Sequence, residues 1–221
     1  MKVLLAVEMG RPPEQLSDAL WVFPPNRDCE GGTSWWLGCQ SEPLLIDCPP
    51  ITSATLETLK QLAAGQSPLI LLTSRDGHGR VRALQEALGW PVLVQEQEAY
   101  LLPGMKALQS FGEEHITTAG IRLLWTPGPT PGSCVAYAPD PWNVLFCGRL
   151  LLPVAFDQLG LLPNRRTFHW PRQQHSMEKL RQWIPPEARP ALASGGSLSL
   201  LRGQGLMAWD ACQVLADQLA G

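Results

Sequence analysis

Hydrophobic and polar positions along the chain divide it into short apolar runs and longer amphipathic stretches. Residues 1–8 (MKVLLAVE) and 19–24 (ALWVFP) have the length and content of strands, and 31–38 (GGTSWWLG) with 42–49 (EPLLIDCP) reads as a strand pair closed by a polar turn at 39–42. Residues 51–65 then carry apolar side chains at helical spacing, with Gly65 placed to cap the C-terminus. The continuous run SPLILLTS at 67–74 suits a buried strand, because a strand covered on both faces loses its polar alternation. The alternation repeats: a helix over 80–90 ending at Gly89, a strand over 91–98, and another over 120–128. Two more strands, 133–139 and 143–151, flank a turn with sound turn chemistry. From 151 to 172 the chain is rich in Pro, Arg and aromatics without a period, which predicts a long surface crossing. Residues 176–184 read as a helix opened by Ser176, 190–196 as a short strand and turn, and 205–221 as a closing helix.

Strands alternating with helices, without a repeat or linker, predict a single α/β domain over residues 1–221. Composition supports this: 45% of residues are apolar and nine are Trp, ample for a core, while 17% are charged against roughly 25% in an average soluble domain. A net charge of -3 with no Lys/Arg block gives no electrostatic footprint for nucleic acid or an anionic membrane, so neither is expected as a partner. The apolar run at 3–7 is broken by Glu8, too short for a signal-peptide core or a bilayer span, and a cytoplasmic location is expected. Six cysteines form no CxxC pair, and Cys48, Cys134, Cys147 and Cys212 lie in apolar settings that predict buried, reduced thiols.

Three segments carry a family resemblance. LLTSRDGHGR (71–80) stands at a strand end, WTPGPTPGSCVAYAPDPWNVLFCGRLL spans 125–151, and GGTSWWLGCQSEPLLIDCP spans 31–49. In order and spacing they resemble the "TH-x-H-x-DH" loop, the "TPGHTPGS … LFxGD" segment and the opening "NSYLI … LIDTG" pair of the metallo-β-lactamase superfamily. The strings at 92–104, 167–173 and 200–205 are similar to a branch of that superfamily associated with photosynthetic bacteria, with a similarly thinned loop after Thr. The resemblance implies a four-layer αββα sandwich whose strand-end loops at 73–80, 128–133 and 148–150 meet at one edge.

It also implies where metal ligands would stand. Zinc needs His nitrogens and carboxylate oxygens converging at about 2 Å, which loops on a rigid sandwich can supply from separate stretches. Aligned at Thr73, the family's loop histidines fall on Ser74 and Asp76, its ligating Asp on His78 and its last His on Gly79. The His after Gly128 is replaced by Pro129, the bridging Asp after Gly148 by Arg149, and the final His finds only the segment around Ser194. The residues that shape the loops remain and those that bind metal do not. The implied pocket is therefore a vestige formed by Thr73, Ser74, Asp76, His78, Pro129, Thr130, Arg149 and Ser194, with no metal or cofactor expected.

Other constellations are weaker. Asp76 and His78 at i, i+2 face one side of a loop, and one weakly held divalent metal there, supporting an unorthodox hydrolase, is the alternative; a catalytic site typically needs a third protein ligand. Ser74 and His78 come without a nucleophile elbow, and Cys147 lies on an apolar strand, so covalent catalysis is not indicated. His115 follows two Glu and reads as a solvated turn. The stretch 165–172, with Arg165, Arg166, His169, Trp170 and Arg172, is the one place where charge and aromatics concentrate, and it is the candidate binding loop for a ligand or a protein partner.

The functional expectation is a binding or scaffold protein on a metallo-hydrolase-like fold, with catalysis not expected and a small anion as the candidate ligand. Arg149 puts a cation where the family holds a carboxylate, and either pairs with Asp76 or opens an anion site.

Overall fold

The computed structural model describes residues 11–39 and 41–210. The first predicted strand, most of the closing helix and Cys212 lie outside that range. A seven-stranded sheet holds β1 (Glu14–Gln15), β2 (Leu20–Val22), β3 (Trp35–Leu37), β4 (Leu44–Ile46), β5 (Leu69–Leu72), β6 (Val92–Gln95) and β7 (Leu108–Phe111), in that order. Its first strands pair antiparallel, and β4 to β7 run parallel, joined by α1 (Ser53–Ala63), α2 (Val81–Leu88) and the short α3 (Glu96–Ala99). The second sheet is built from β8 (Glu114–Ile116), β9 (Arg122–Trp125), β10 (Cys134–Ala138), β11 (Val144–Gly148), β14 (Ala191–Ser194) and β15 (Leu206–Met207). A hairpin of β12 (Leu152–Ala155) and β13 (Gln158–Gly160) and the helix α4 (Trp170–Trp183) come between β11 and β14.

Side-chain alternation explains the layers. Successive strand residues point to opposite faces, so Trp35, Leu44, Ile46 and Leu71 enter the core between the sheets, while Trp36, Leu45, Ile70 and Leu72 face outward. The outward set is covered by Leu59 and Ala63 of α1 and Val81 and Leu84 of α2, which is why these parallel strands read as unbroken apolar runs. Between the sheets, Trp35 meets Phe146 edge-on with ring centres 6.0 Å apart. Met177 and Leu180 of α4 join the second sheet's cluster, and Trp183 lies edge-on to Tyr137 at 6.4 Å. Helices, sheet, sheet and helix make the four-layer αββα sandwich. Among the described residues no helix is long and apolar enough to cross a membrane.

Four readings of the sequence change. The edge strands β7 and β8 went unpredicted because LQSF and EHI each have two exposed residues and carry no apolar run, and His115 sits within β8 rather than in a turn. The crossing at 151–172 contains the β12–β13 hairpin. Helix α4 begins two turns before Ser176: His169 is its N-cap, accepting from the Arg172 N–H at 3.2 Å, and Pro171 is tolerated in the first turn, where its missing N–H has no partner to lose. Ser176 instead lies inside the helix and donates to the Pro127 carbonyl at 2.7 Å. Leu206 and Met207, assigned to the closing helix, form β15.

Candidate functional site

The loops after β5, β9, β11 and β14 converge on one edge of the sandwich. The Cys134 N–H donates to the Thr73 carbonyl at 2.8 Å, and the Gly195 N–H donates to the Gly148 carbonyl at 2.9 Å, so backbone bonds fasten the loops together. The segment 164–169 closes over them: Phe168 N–H donates to the Pro129 carbonyl at 3.1 Å and His169 N–H to the Gly128 carbonyl at 3.0 Å. Between these loops lies a cleft of about 410 Å³ lined by, among others, Glu30, Asp76, Pro129, Arg149, Arg165 and Arg166.

Arg149 follows β11 and forms part of the cleft wall. One terminal nitrogen of its guanidinium donates to the Cys29 carbonyl, and the group lies flat against Gly32, where a Cβ would overlap it. Its Nε is buried without a hydrogen-bond partner. It does not pair with Asp76. That carboxylate lies 3.6 Å from Arg166, which also holds Glu30 at 2.6 Å; this hydrogen bond keeps the exposed Glu30 carboxyl below its ordinary range and the Arg166 guanidinium above its own. Three arginines against two carboxylates leave the cleft with a net positive charge. Gln173, on α4 and 1% exposed, also lines the cleft and has its side-chain oxygen unpartnered.

The remaining expected site residues are buried beneath the cleft or turned away from it. Thr73 donates its N–H and hydroxyl to the two oxygens of Asp47, at 2.8 and 2.7 Å. Ser74 is buried with its hydroxyl unpartnered. Thr130 is bonded to Ser133 within its own loop, whereas the Ser194 hydroxyl donates to the Leu151 carbonyl at 2.8 Å and joins two loops. His78 lines a separate depression with Arg80, Val81 and Leu102, its Nε2 4.0 Å from the Glu98 carboxylate. Of the candidate binding loop, Arg165 and Arg166 reach the cleft, His169 caps α4, Trp170 packs against the core, and Arg172 lines another surface with Glu113 and Lys179.

Two buried acids were not singled out in the sequence. Asp47 follows β4 and is 3% exposed; burial pushes its carboxyl up to about 6, against the two Thr73 hydrogen bonds and the Arg149 charge that pull it down. Glu98, 1% exposed, accepts from the Gly132 N–H at 3.1 Å, and burial raises its carboxyl above the usual range. Asp47 stood in the quoted LIDCP string; Glu98 sat in an acidic run that gives no sign of burial. His78 is shifted the other way, its imidazole pushed down to about 4 by burial and then by the charge of Arg75.

The donor set does not fit the metals that the resemblance implies. Among the described residues no three His, Cys, Asp or Glu side chains converge on a point that could hold an ion, and the cleft itself carries guanidinium groups, which repel one. Protein purified without chelator is expected to carry far less than one zinc, iron or manganese per chain after dialysis. Elemental analysis returning about one metal per chain would overturn that expectation.

No family model and no curated protein matches the chain in sequence. Solved structures match in architecture. The BLEG-1 B3 metallo-β-lactamase superposes with a TM-score of 0.61 at 22% identity, covering 87% of this chain and 95% of its own. An archaeal metallo-β-lactamase superfamily protein, ST1585 from Sulfolobus tokodaii, gives 0.62 at 15% identity over 93% of this chain and 87% of its own. The TTHA1623 protein in a di-iron-bound form gives 0.58 at 23% identity over 88% and 98%. In layer order, sheet order and the edge where its loops meet, this chain is a protein of the metallo-β-lactamase fold.

Proposed function

We propose that this chain is a binding protein built on a metallo-hydrolase fold, and that its cleft holds a small anion rather than a catalytic metal. Arg149 carries the reading. A guanidinium has five donors in a rigid fork suited to carboxylate and phosphate, and this one spends a single identified donor on a backbone carbonyl while its Nε stays buried and unpaired. Leaving a buried charged donor unsatisfied costs more than 1–3 kcal/mol as a rough guide, and an anion in the cleft relieves that cost. Arg165, without an ion-pair partner among the described residues, adds a second cation to the lining of the same cleft. The loop 165–172 serves the cleft through its first two arginines, which favours a ligand role over a purely protein-partner role for that segment.

Thermal-shift titration with sulfate, phosphate and acetate tests this. A ligand at about 100 times its Kd adds roughly 2.7 kcal/mol of stability. The wild type is expected to be stabilised by at least one of these anions, and Arg149→Gln and Arg165→Gln are each expected to reduce the shift. Because Arg149 also holds the Cys29 carbonyl, Arg165→Gln guards against a folding defect being mistaken for lost binding. If no anion stabilises the wild type, or both variants respond as the wild type does, the reading fails.

A further inference from the structure

Besides its charged groups, the cleft is lined by aliphatic side chains. Leu152 and Leu162 are among them, and Leu162 is 42% exposed although it is a large aliphatic side chain. Leu152 opens the hairpin strand β12, whose pairing register shifts between Pro153 and Ala155. Exposed aliphatic surface inside a cleft is where a ligand's hydrocarbon would sit.

Resting on the anion reading above, we infer that the cleft takes an amphiphilic monoanion: a carboxylate held at Arg149 and Arg165, with its hydrocarbon chain lying over Leu152 and Leu162. Charge sets the head group. Three arginines against Glu30 and Asp76 leave the cleft lining one positive charge in excess, which matches one negative charge better than a phosphate dianion. Size fits as well, since about 410 Å³ falls in the range of roughly 300–1,000 Å³ found for small-molecule sites. Gln173 contributes an unpartnered acceptor in the same cleft, which suits a chain bearing a hydroxyl near its head.

Isothermal titration with acetate, hexanoate and decanoate, and with decanol as the uncharged control, tests the inference on the full chain. Burying a methylene is worth about 0.8 kcal/mol, a factor of about four in affinity; in an open cleft roughly two- to fourfold per methylene is expected from acetate to decanoate. Decanol is expected to bind at least tenfold more weakly than decanoate. Leu162→Ser is expected to flatten the chain-length series, and Arg165→Gln to weaken every carboxylate. If acetate or sulfate binds but affinity is flat with chain length, the amphiphile inference is wrong and the anion reading survives. If decanol matches decanoate, the site is a non-specific apolar patch and the inference is wrong. If no anion and no amphiphile binds, both readings fall together.

Discussion

Replacing Gly128 with alanine is expected to lower the melting temperature by roughly 8–16 °C, about 4 kcal/mol at the 2–4 °C per kcal/mol usual for chains of this size. Two costs add. Gly128 has φ of +142°, a conformation that strains any residue with a side chain by about 1–3 kcal/mol. A Cβ there would also overlap the backbone of Gln173 in α4, and overpacking costs about 1–3 kcal/mol. The helix cannot simply retreat, because the Gly128 carbonyl accepts from His169 at its N-cap and Ser176 is bonded to the Pro127 carbonyl. Gly65→Ala is the control. That glycine also has positive φ, at +81°, but has open space around it, so only strain of about 1–2 kcal/mol is expected. Equal losses for the two variants, measured by thermal melts, would show that α4 yields freely and that Gly128 does not pin it.

The same position shows why the loops were readable in sequence. TPGPTPG keeps its glycines and prolines because the backbone geometry they enforce seats α4 and the 164–169 segment, a demand that persists whatever chemistry the cleft performs. The central strands were equally legible: LILL and VLVQ are buried on both faces and must be continuously apolar. Edge elements were not. β7 and β8 are short and carry no apolar run and the hairpin strands are equally short, so their sequences look like loops, and β15 borrows its pairing from β14 rather than from any pattern of its own.

The candidate site was legible in position and less so in partners. The register with the family placed Asp76, Pro129 and Arg149 at one edge, and all three line the cleft. What sequence left open was who pairs with whom. Asp76 reaches Arg166, ninety residues away, and so is not available to Arg149. Such long-range choices depend on how the 164–169 segment is tied down, and no local spacing encodes that. Burial of acids was equally hidden: Glu98 faces inward only because the chain turns into α3 directly after Gln95.

The pH dependence of stability is expected to contain two opposed contributions from groups beneath the cleft. The Asp47 carboxyl, raised in the folded protein to about 6 from an ordinary 3.8, binds its proton more tightly folded than unfolded. Its contribution is therefore fully favourable below about pH 4 and is lost as pH rises through 6. His78 is lowered from 6.5 to about 4, so the unfolded chain takes up the proton first. Its contribution is intact above about pH 6.5 and is lost as pH falls through 4. At 1.36 kcal/mol per unit each amounts to something on the order of 3 kcal/mol, and across pH 4 to 6.5 they largely cancel. Glu98, also raised by burial, acts in the same direction as Asp47. Single substitutions uncover the halves. Asp47→Asn keeps the side chain's shape and an acceptor for the Thr73 N–H while removing the titration; its stability relative to the wild type should rise from pH 4 to pH 7 by about 3 kcal/mol. His78→Asn should change in the opposite sense, losing relative stability over the same span. Denaturant unfolding at pH 4, 5, 6 and 7 reads both slopes. If both variants track the wild type at every pH, neither group titrates in the folded protein as its burial requires, and the electrostatic account of the layer beneath the cleft is wrong.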